Sequence, residues 1–264
     1  MRYFLLPEEF TEKKPLKLTG RDFNYLARVL RFKKSDEFTA IDRSGSLFRI
    51  KVVEIDKKQI TIKALGKIED DTENPSPIYL YQCLPKGKKM DTIVRQSVEM
   101  GVAEIVPVIS RFSVPILSSR EERTKRQKRW NRIAKEAVQQ SGNRKPISIR
   151  EPVTFDNLMM NLRFIAEDTS KQLIIFHPET ENSNTLHGVL SRPVFELHIL
   201  IGPEGGFADE EVAKAVETGA TLVSLGENIL RSETAAIYAI ASIKTILREK
   251  DFWTYIDKNE RISI

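Results

Sequence analysis

The chain has 264 residues, enough for one large domain or two modest ones, and its 41% apolar share is that of a folded protein rather than a disordered one. No stretch approaches the roughly 20 consecutive apolar residues of a membrane helix, the first ten residues lack a secretory-signal pattern, and a single cysteine, Cys83, excludes an internal disulfide and favours a cytoplasmic protein. The net charge of +5 hides a segregation: residues 1–68 carry 16 Lys/Arg against 9 Asp/Glu, residues 111–150 carry 12 against 3, and the remainder is acidic. Two concentrated basic segments point to a polyanion such as nucleic acid, because each neutralised phosphate releases counterions. The three histidines (His177, His187, His198) have no metal-ligand spacing around a second cysteine, so no metal site is expected.

Residues 1–72 read as a small β-rich domain. Residues 19–33 form a helical patch with Phe23, Leu26, Ala27 and Leu30 on one face; Arg28 and Arg31 lie on the other, followed by Lys33 and Lys34. A turn is expected at Arg43-Ser44-Gly45. Residues 48–55 and 59–65 alternate apolar and polar as half-buried strands do, and Asp56-Lys57-Lys58 joins them as a hairpin. The polar, proline-containing stretch 70–77 is the expected linker.

From residue 78 onward, strands alternate with helices, the mark of a mostly parallel sheet covered on both faces. Strands are predicted at 78–84, 105–109, 194–201 and 222–225. Helices are predicted at 90–100 (ending at Gly101), 121–140, 209–218 (Asp209 as N-cap, Gly219 just beyond) and 232–248. Residues 161–165 and 173–176 give weaker element signals. Cys83 reads as a buried, inert thiol, and Trp130, inside the basic helix, reads as core rather than as a platform for a nucleic-acid base.

Two segments follow apolar strands and are built unlike ordinary turns. The first is Ile201-Gly202-Pro203-Glu204-Gly205-Gly206-Phe207, whose glycines let backbone approach a ligand. It is neither a Walker A motif nor a dinucleotide fingerprint. The second is Leu225-Gly226-Glu227-Asn228-Ile229-Leu230-Arg231-Ser232-Glu233-Thr234-Ala235, which puts apolar groups in a loop, as a flat ring such as adenine requires. In an open parallel sheet, ligands bind at the carboxyl ends of strands. By residue chemistry alone, a ligand site and a pair of well-capped turns are equally good readings.

These two segments resemble signatures of the ribosomal RNA small subunit methyltransferase E family, within the SpoU–TrmD (SPOUT) superfamily. So do Leu84-Pro85-Lys86-Gly87 with Glu99-Met100-Gly101-Val102, Ser110-Arg111-Phe112-Ser113, and the Arg28-Val29-Leu30-Arg31 core. Departures are Gln96 and Met100 in place of the usual lysine and leucine, and Arg144, displaced by one position after Gln140-Ser141-Gly142-Asn143. The resemblance implies an α/β fold: a PUA-like barrel over residues 1–72, then a methyltransferase domain over 73–264 containing a trefoil knot. It implies a homodimer that uses S-adenosylmethionine to methylate uridine N3 in small-subunit ribosomal RNA. The cofactor pocket would comprise Phe176, His177, Leu200, Ile201, Gly202, Pro203, Glu204, Gly205, Gly206, Leu225, Gly226, Asn228, Ile229, Leu230 and Arg231. Arg231, Arg144 and Gln140 are the catalytic candidates. Glu233 reads as structural rather than as a base, because a helix N-terminus lowers carboxylate basicity. Arg28, Arg31, Lys33, Lys34, Arg126 and Arg129 would grip RNA. The competing readings are a non-catalytic RNA-binding protein and an α/β enzyme acting on a small nucleotide.

Overall fold

The computed structural model describes residues 4–42, 44–68, 76–114, 117, 119–141, 147–178 and 184–259, with side chains as far as residue 249. The chain divides into two compact units, Met1–Glu73 with Lys135–Pro146, and Asn74–Ala134 with Ile147–Ile264.

The first unit contains β1 (Phe4–Leu5), β2 (Leu16–Thr19), α1 (Gly20–Phe23), β3 (Glu37–Ile41), β4 (Leu47–Ile55) and β5 (Gln59–Ile68). Its sheet runs β1-β3-β4-β5-β2, antiparallel except where β1 meets β3. The expected hairpin is present: Asp56 N donates to Gln59 O at 2.9 Å, and Gln59 Nε2 donates to Asp56 Oδ2. Ile50 and Val52 point inward while Arg49 and Lys51 face outward, so the period-two pattern matches burial. At the other expected turn, Arg43 lies outside the described residues; Asp42 Oδ1 accepts from the backbone N–H groups of Ser44 and Ser46. The short strands β1, β2 and β3 are not visible in residue patterning.

The expected helix over 19–33 is corrected to one α-turn followed by a π-helical segment, Asn24–Val29, with Leu30 N bonded to Tyr25 O at 2.9 Å. The wider winding still buries Phe23 and Leu26, so the apolar pattern does not distinguish it from a regular helix. Arg31 takes a left-handed conformation, φ 58°, and ends it.

The second unit comprises β6 (Ile78–Cys83), α2 (Lys89–Glu99), β7 (Glu104–Ile109), α3 (Arg120–Ser141, whose residues from Lys135 onward belong to the first unit), β8 (Ser148–Ile149), β9 (Val153–Thr154) and α4 (Phe155–Glu167). It continues through β10 (Lys171–Phe176), α5 (Leu186–Leu190), β11 (Glu196–Ile201), α6 (Asp209–Glu217), β12 (Ala220–Val223) and α7 (Ser232–Asn259). The sheet is parallel throughout, in the order β12-β10-β11-β6-β7-β8, with β9 also beside β7. Its central strands are nearly continuous apolar runs because both faces are covered. Tyr81, Val106, Leu173 and Leu200 pack with Phe155, Leu158 and Leu162 of α4. Alternate residues such as Leu80 and Ile199 point the other way, to the side where α7 packs on β11 and α2.

Three local expectations are corrected. The weak signal at 161–165 belongs to the thirteen-residue α4, capped by Thr154 Oγ1 accepting from Asn157 N. Ala208, not Asp209, is the N-cap of α6; the Glu211 carboxylate reaches back to accept Ala208 N at 3.1 Å. The strand expected at 222–225 is Ala220–Val223, placed by its register with Leu173–Phe176 of β10. Trp130 is 2% exposed and Cys83 is buried, both as expected. Burial also pushes the Cys83 thiol pKa up, which keeps it inert.

Candidate functional site

The parallel register brings Phe176 opposite both Ile201 and Val223, so β10, β11 and β12 end together. The segments leaving these ends line a cavity of about 300 Å³. Phe176, His177 and Pro178 form one wall, residues 201–207 a second, and Leu225 with residues 227–230 a third; Ser232 and Ala235, from the first turn of α7, complete the lining. Three predicted positions are not among the lining residues. Leu200 is fully buried in the sheet core, Gly226 is an exposed turn glycine at φ 111°, and Arg231 is exposed beside Leu230. Pro178, Phe207, Glu227, Ser232 and Ala235 are lining residues that sequence reasoning missed.

The glycine-rich wall is shaped by close approach. A Cβ on Gly202 would sit 3.3 Å from the Gly206 backbone and from the Phe207 ring, and one on Gly205 would sit 3.0 Å from Phe112 Cβ. Gly206, at φ 71°, donates its N–H to Pro203 O at 3.0 Å and closes a tight turn. A buried polar chain fixes the base of this turn. Ser232 Oγ donates to Gly202 O at 2.6 Å and accepts from Gln82 Nε2 at 3.0 Å, while Gln82 also donates to Cys83 O. Gln82 is fully buried and Ser232 3% exposed, so these bonds form away from water, where leaving one unmade is costly. A lone amide inside the apolar run 78–84 is the sequence signal for this network.

At the tip of the turn, Glu204 accepts from Lys86 N with both oxygens at 3.2 Å and from Lys89 Nζ at 2.7 Å. Partial burial alone would raise the Glu204 pKa. The Lys89 ammonium and the backbone N–H groups of Glu204 and Lys86 outweigh it and hold the carboxyl below its usual range. Lys89 Nζ also lies 3.3 Å from Glu233 Oε2, and hydrogen bonding to Glu204 is the main cause of its own raised pKa. On the opposite wall, His177 N donates to Val223 O at 3.1 Å, and its ring Nδ1 lies 3.2 Å from Pro178 O.

The remaining candidates divide between the two units. In the first, Arg28, Arg31, Lys33 and Lys34 are all exposed around the π-helical turn, with the Arg28 guanidinium 5.9 Å from the Phe23 ring centre. Gln140 is exposed near the end of α3, and Arg144 lies outside the described residues. In the second, Arg126 is exposed, whereas Arg129 is ion-paired with Asp91. Among the described residues no cluster of metal-ligating side chains occurs, and no helix is long and apolar enough to cross a membrane.

Residues 72–244 match the family model described as an RNA methyltransferase domain, and residues 18–65 match the one described as an RNA methyltransferase PUA domain. The ribosomal RNA small subunit methyltransferase E of Buchnera aphidicola (subspecies Acyrthosiphon pisum) is 31% identical, covering 87% of each chain. That of Aquifex aeolicus is 32% identical, covering 81% of this chain and 87% of its own. The crystal structure of the Neisseria gonorrhoeae enzyme of that name, bound to S-adenosyl methionine, superposes with a TM-score of 0.79 at 28% identity, over 93% of this chain and 98% of its own. The mixed α/β chain, with its PUA-like N-terminal domain and C-terminal methyltransferase domain, belongs to the ribosomal RNA small subunit methyltransferase E family.

Proposed function

We propose that this chain methylates N3 of a uridine in small-subunit ribosomal RNA, with S-adenosylmethionine as the methyl donor, and that it does so as a homodimer. The observation that carries the reading is the convergence of three loops on one cavity at the carboxyl ends of parallel strands, in a chain of this family. The cavity suits the cofactor chemically. Its glycine wall presents backbone where a Cβ on Gly202 would crowd Gly206 at 3.3 Å, and Ile229 and Leu230 offer apolar cover for an adenine ring. Residues 201–206, Leu225 and residues 227–230, with Phe176 and His177, would hold it. When bound, it supplies a methyl group made electrophilic by a sulfonium.

What remains falls to side chains. Neutral uridine is a poor nucleophile, so its N3 proton must leave before or during attack, and cationic or hydrogen-bonding groups must favour the resulting anion. Arg231, exposed at the end of the third loop, is the assigned anion-stabilising group. Gln140 and Arg144 are assigned to a partner subunit's site. Glu233, held by Lys89, is assigned a structural role. Because N3 lies on the Watson–Crick edge, the base must be unpaired or flipped. Arg28, Arg31, Lys33 and Lys34 give the sequence-independent grip, with Arg126 from α3; Arg129, paired with Asp91, contributes less. The exposed apolar side chains of Ile229 and Tyr238 support a dimer that covers the pocket rim. The return of α7 from edge strand β12 to pack on β11 and α2 supports the knotted path.

The test is methylation of small-subunit ribosomal RNA lacking the modification, with mass spectrometry of the product nucleosides. Appearance of 3-methyluridine is the expected result. A methyl group on another atom would overturn the N3 assignment, and cofactor binding without turnover would favour a non-catalytic RNA-binding role.

A further inference from the structure

The carboxylates of Glu204, at the tip of the glycine-rich turn, and of Glu233, in the first turn of α7, meet a single cation. Lys89 Nζ lies 2.7 Å from Glu204 Oε1 and 3.3 Å from Glu233 Oε2. We infer that Lys89 is a positioning residue, an ionic latch that holds the 201–207 turn in its cofactor-accepting shape by tying α2, the turn and α7 together. This rests on the assignment of the cavity to S-adenosylmethionine.

Four observations carry the inference. The first is location. Lys89 opens α2, where the helix dipole disfavours a cation, so helix stability is not what places it there. The two carboxylates it joins would repel one another without it.

The second is entropy. The turn contains Gly202, Gly205 and Gly206, which lose more conformational freedom on ordering than any other residue type. A loop that must be ordered at the moment of binding charges that cost to the ligand; one ordered beforehand does not.

The third is the distribution of anchors. The base of the turn is tied through Gly202 O to Ser232, and its middle closes by Gly206 N to Pro203 O. The tip is held through the Glu204 side chain, by Lys86 N and Lys89 Nζ. Of these two, Lys89 is the one that also reaches α7.

The fourth is exposure. The three side chains are 31%, 26% and 22% exposed, enough burial to sharpen geometry but too little for a large contribution to global stability. The latch therefore acts on the local shape of the pocket wall more than on folding.

Calorimetric titration of the full chain with S-adenosylmethionine tests this, with thermal melting of each variant as the companion measurement. Lys89→Met is expected to weaken cofactor binding about tenfold, while kcat at saturating cofactor and RNA stays within about threefold of the parent. Lys89→Arg, which keeps the charge, is expected to restore most of the affinity. Glu204→Gln is expected to weaken binding in the same direction. Combined with Lys89→Met it should cost less than the sum of the two changes, because both break one interaction. If Lys89→Met unfolds the chain, the Glu204→Gln and Lys89→Arg pair still decides the matter. Parental affinity in Lys89→Met, or in Glu204→Gln when the former does not fold, overturns the latch. So does a Lys89→Arg variant as impaired as Lys89→Met. Failure of the parent chain to bind S-adenosylmethionine overturns the cavity assignment instead, so the two failures are distinguishable.

Discussion

Ser232 Oγ donates to the carbonyl of Gly202 at 2.6 Å, and through this bond the first turn of α7 fixes the base of the glycine-rich wall. The hydroxyl also receives the Gln82 amide, so one buried oxygen serves β6, the turn and α7 together. Ser232→Ala leaves both Gly202 O and Gln82 Nε2 short of a partner in a buried setting. The expected loss is about 1–3 kcal/mol of folding stability, the cost of stranding buried polar groups, read from urea unfolding. Cofactor affinity should fall with it. An alanine variant with parental stability and affinity would show that water replaces the hydroxyl there.

Much of this wall was legible in the sequence, and the reason is physical. Positive φ and close backbone approach are demands that few residues other than glycine meet, so Gly202, Gly205 and Gly206 advertise themselves. The central strands announced themselves as apolar runs, because a sheet covered on both faces has no polar side. What connects distant segments was not legible. Lys89 and Glu204 are 115 residues apart, Gln82 and Ser232 are 150 apart, and no local pattern pairs them. The π-helical winding after Phe23 was hidden for a different reason: an apolar face with Phe23 and Leu26 inward satisfies either helix. The edge strands β8 and β9, two residues each, are too short to show any period.

The buried histidine of the sheet predicts a pH dependence of stability. His198 is 3% exposed, its ring lies nearly parallel to Tyr79 and Tyr81, and its Nδ1 is 2.9 Å from Tyr81 Oη. Burial pushes its pKa down to about 4; Glu196, 3.5 Å from Nε2, opposes this, and Lys171 adds to it. The unfolded chain therefore binds the proton more readily than the folded one. The stability that neutral His198 contributes is complete above the unfolded value near 6.5 and is lost as pH falls from there toward about 4. The slope approaches about 1.4 kcal/mol per pH unit inside that window. Unfolding by urea between pH 4 and 7 measures it. His198→Gln should flatten this part of the profile, and an unchanged slope in that variant would assign the effect to other groups.

The exposed basic residues of the first unit make a prediction about salt. Arg28, Arg31, Lys33 and Lys34 surround a turn that also exposes Val29, at 66%. If they contact RNA phosphates, each alanine substitution should reduce the slope of log affinity against log salt by about 0.7 for single-stranded RNA. Cofactor affinity, measured without RNA, should not change. Arg129→Ala should alter the slope less than Arg126→Ala, because Arg129 is already paired with Asp91. Filter binding across a salt series reads this directly, and a slope unaffected by all four first-unit substitutions would move the RNA surface elsewhere.

Arg231 separates binding from chemistry. Its carbonyl accepts Ala235 N at 2.8 Å, opening α7, while its side chain is exposed beside the third loop and does not line the cavity. A guanidinium so placed can meet an RNA base presented at the rim without touching a cofactor held by Ile229 and Leu230. Removing it should therefore leave cofactor affinity within about threefold. Turnover at saturating cofactor and RNA should fall by about a hundredfold, the scale seen when one donor to a developing anion is lost. Lysine at this position keeps the charge but not the planar fork, so Arg231→Lys should recover only part of the rate. Raising the pH should favour loss of the uridine N3 proton and narrow the gap between Arg231→Ala and the parent, an effect that a purely structural role would not produce. Parallel rate–pH profiles for the two proteins would place Arg231 in RNA positioning rather than in stabilising the anion.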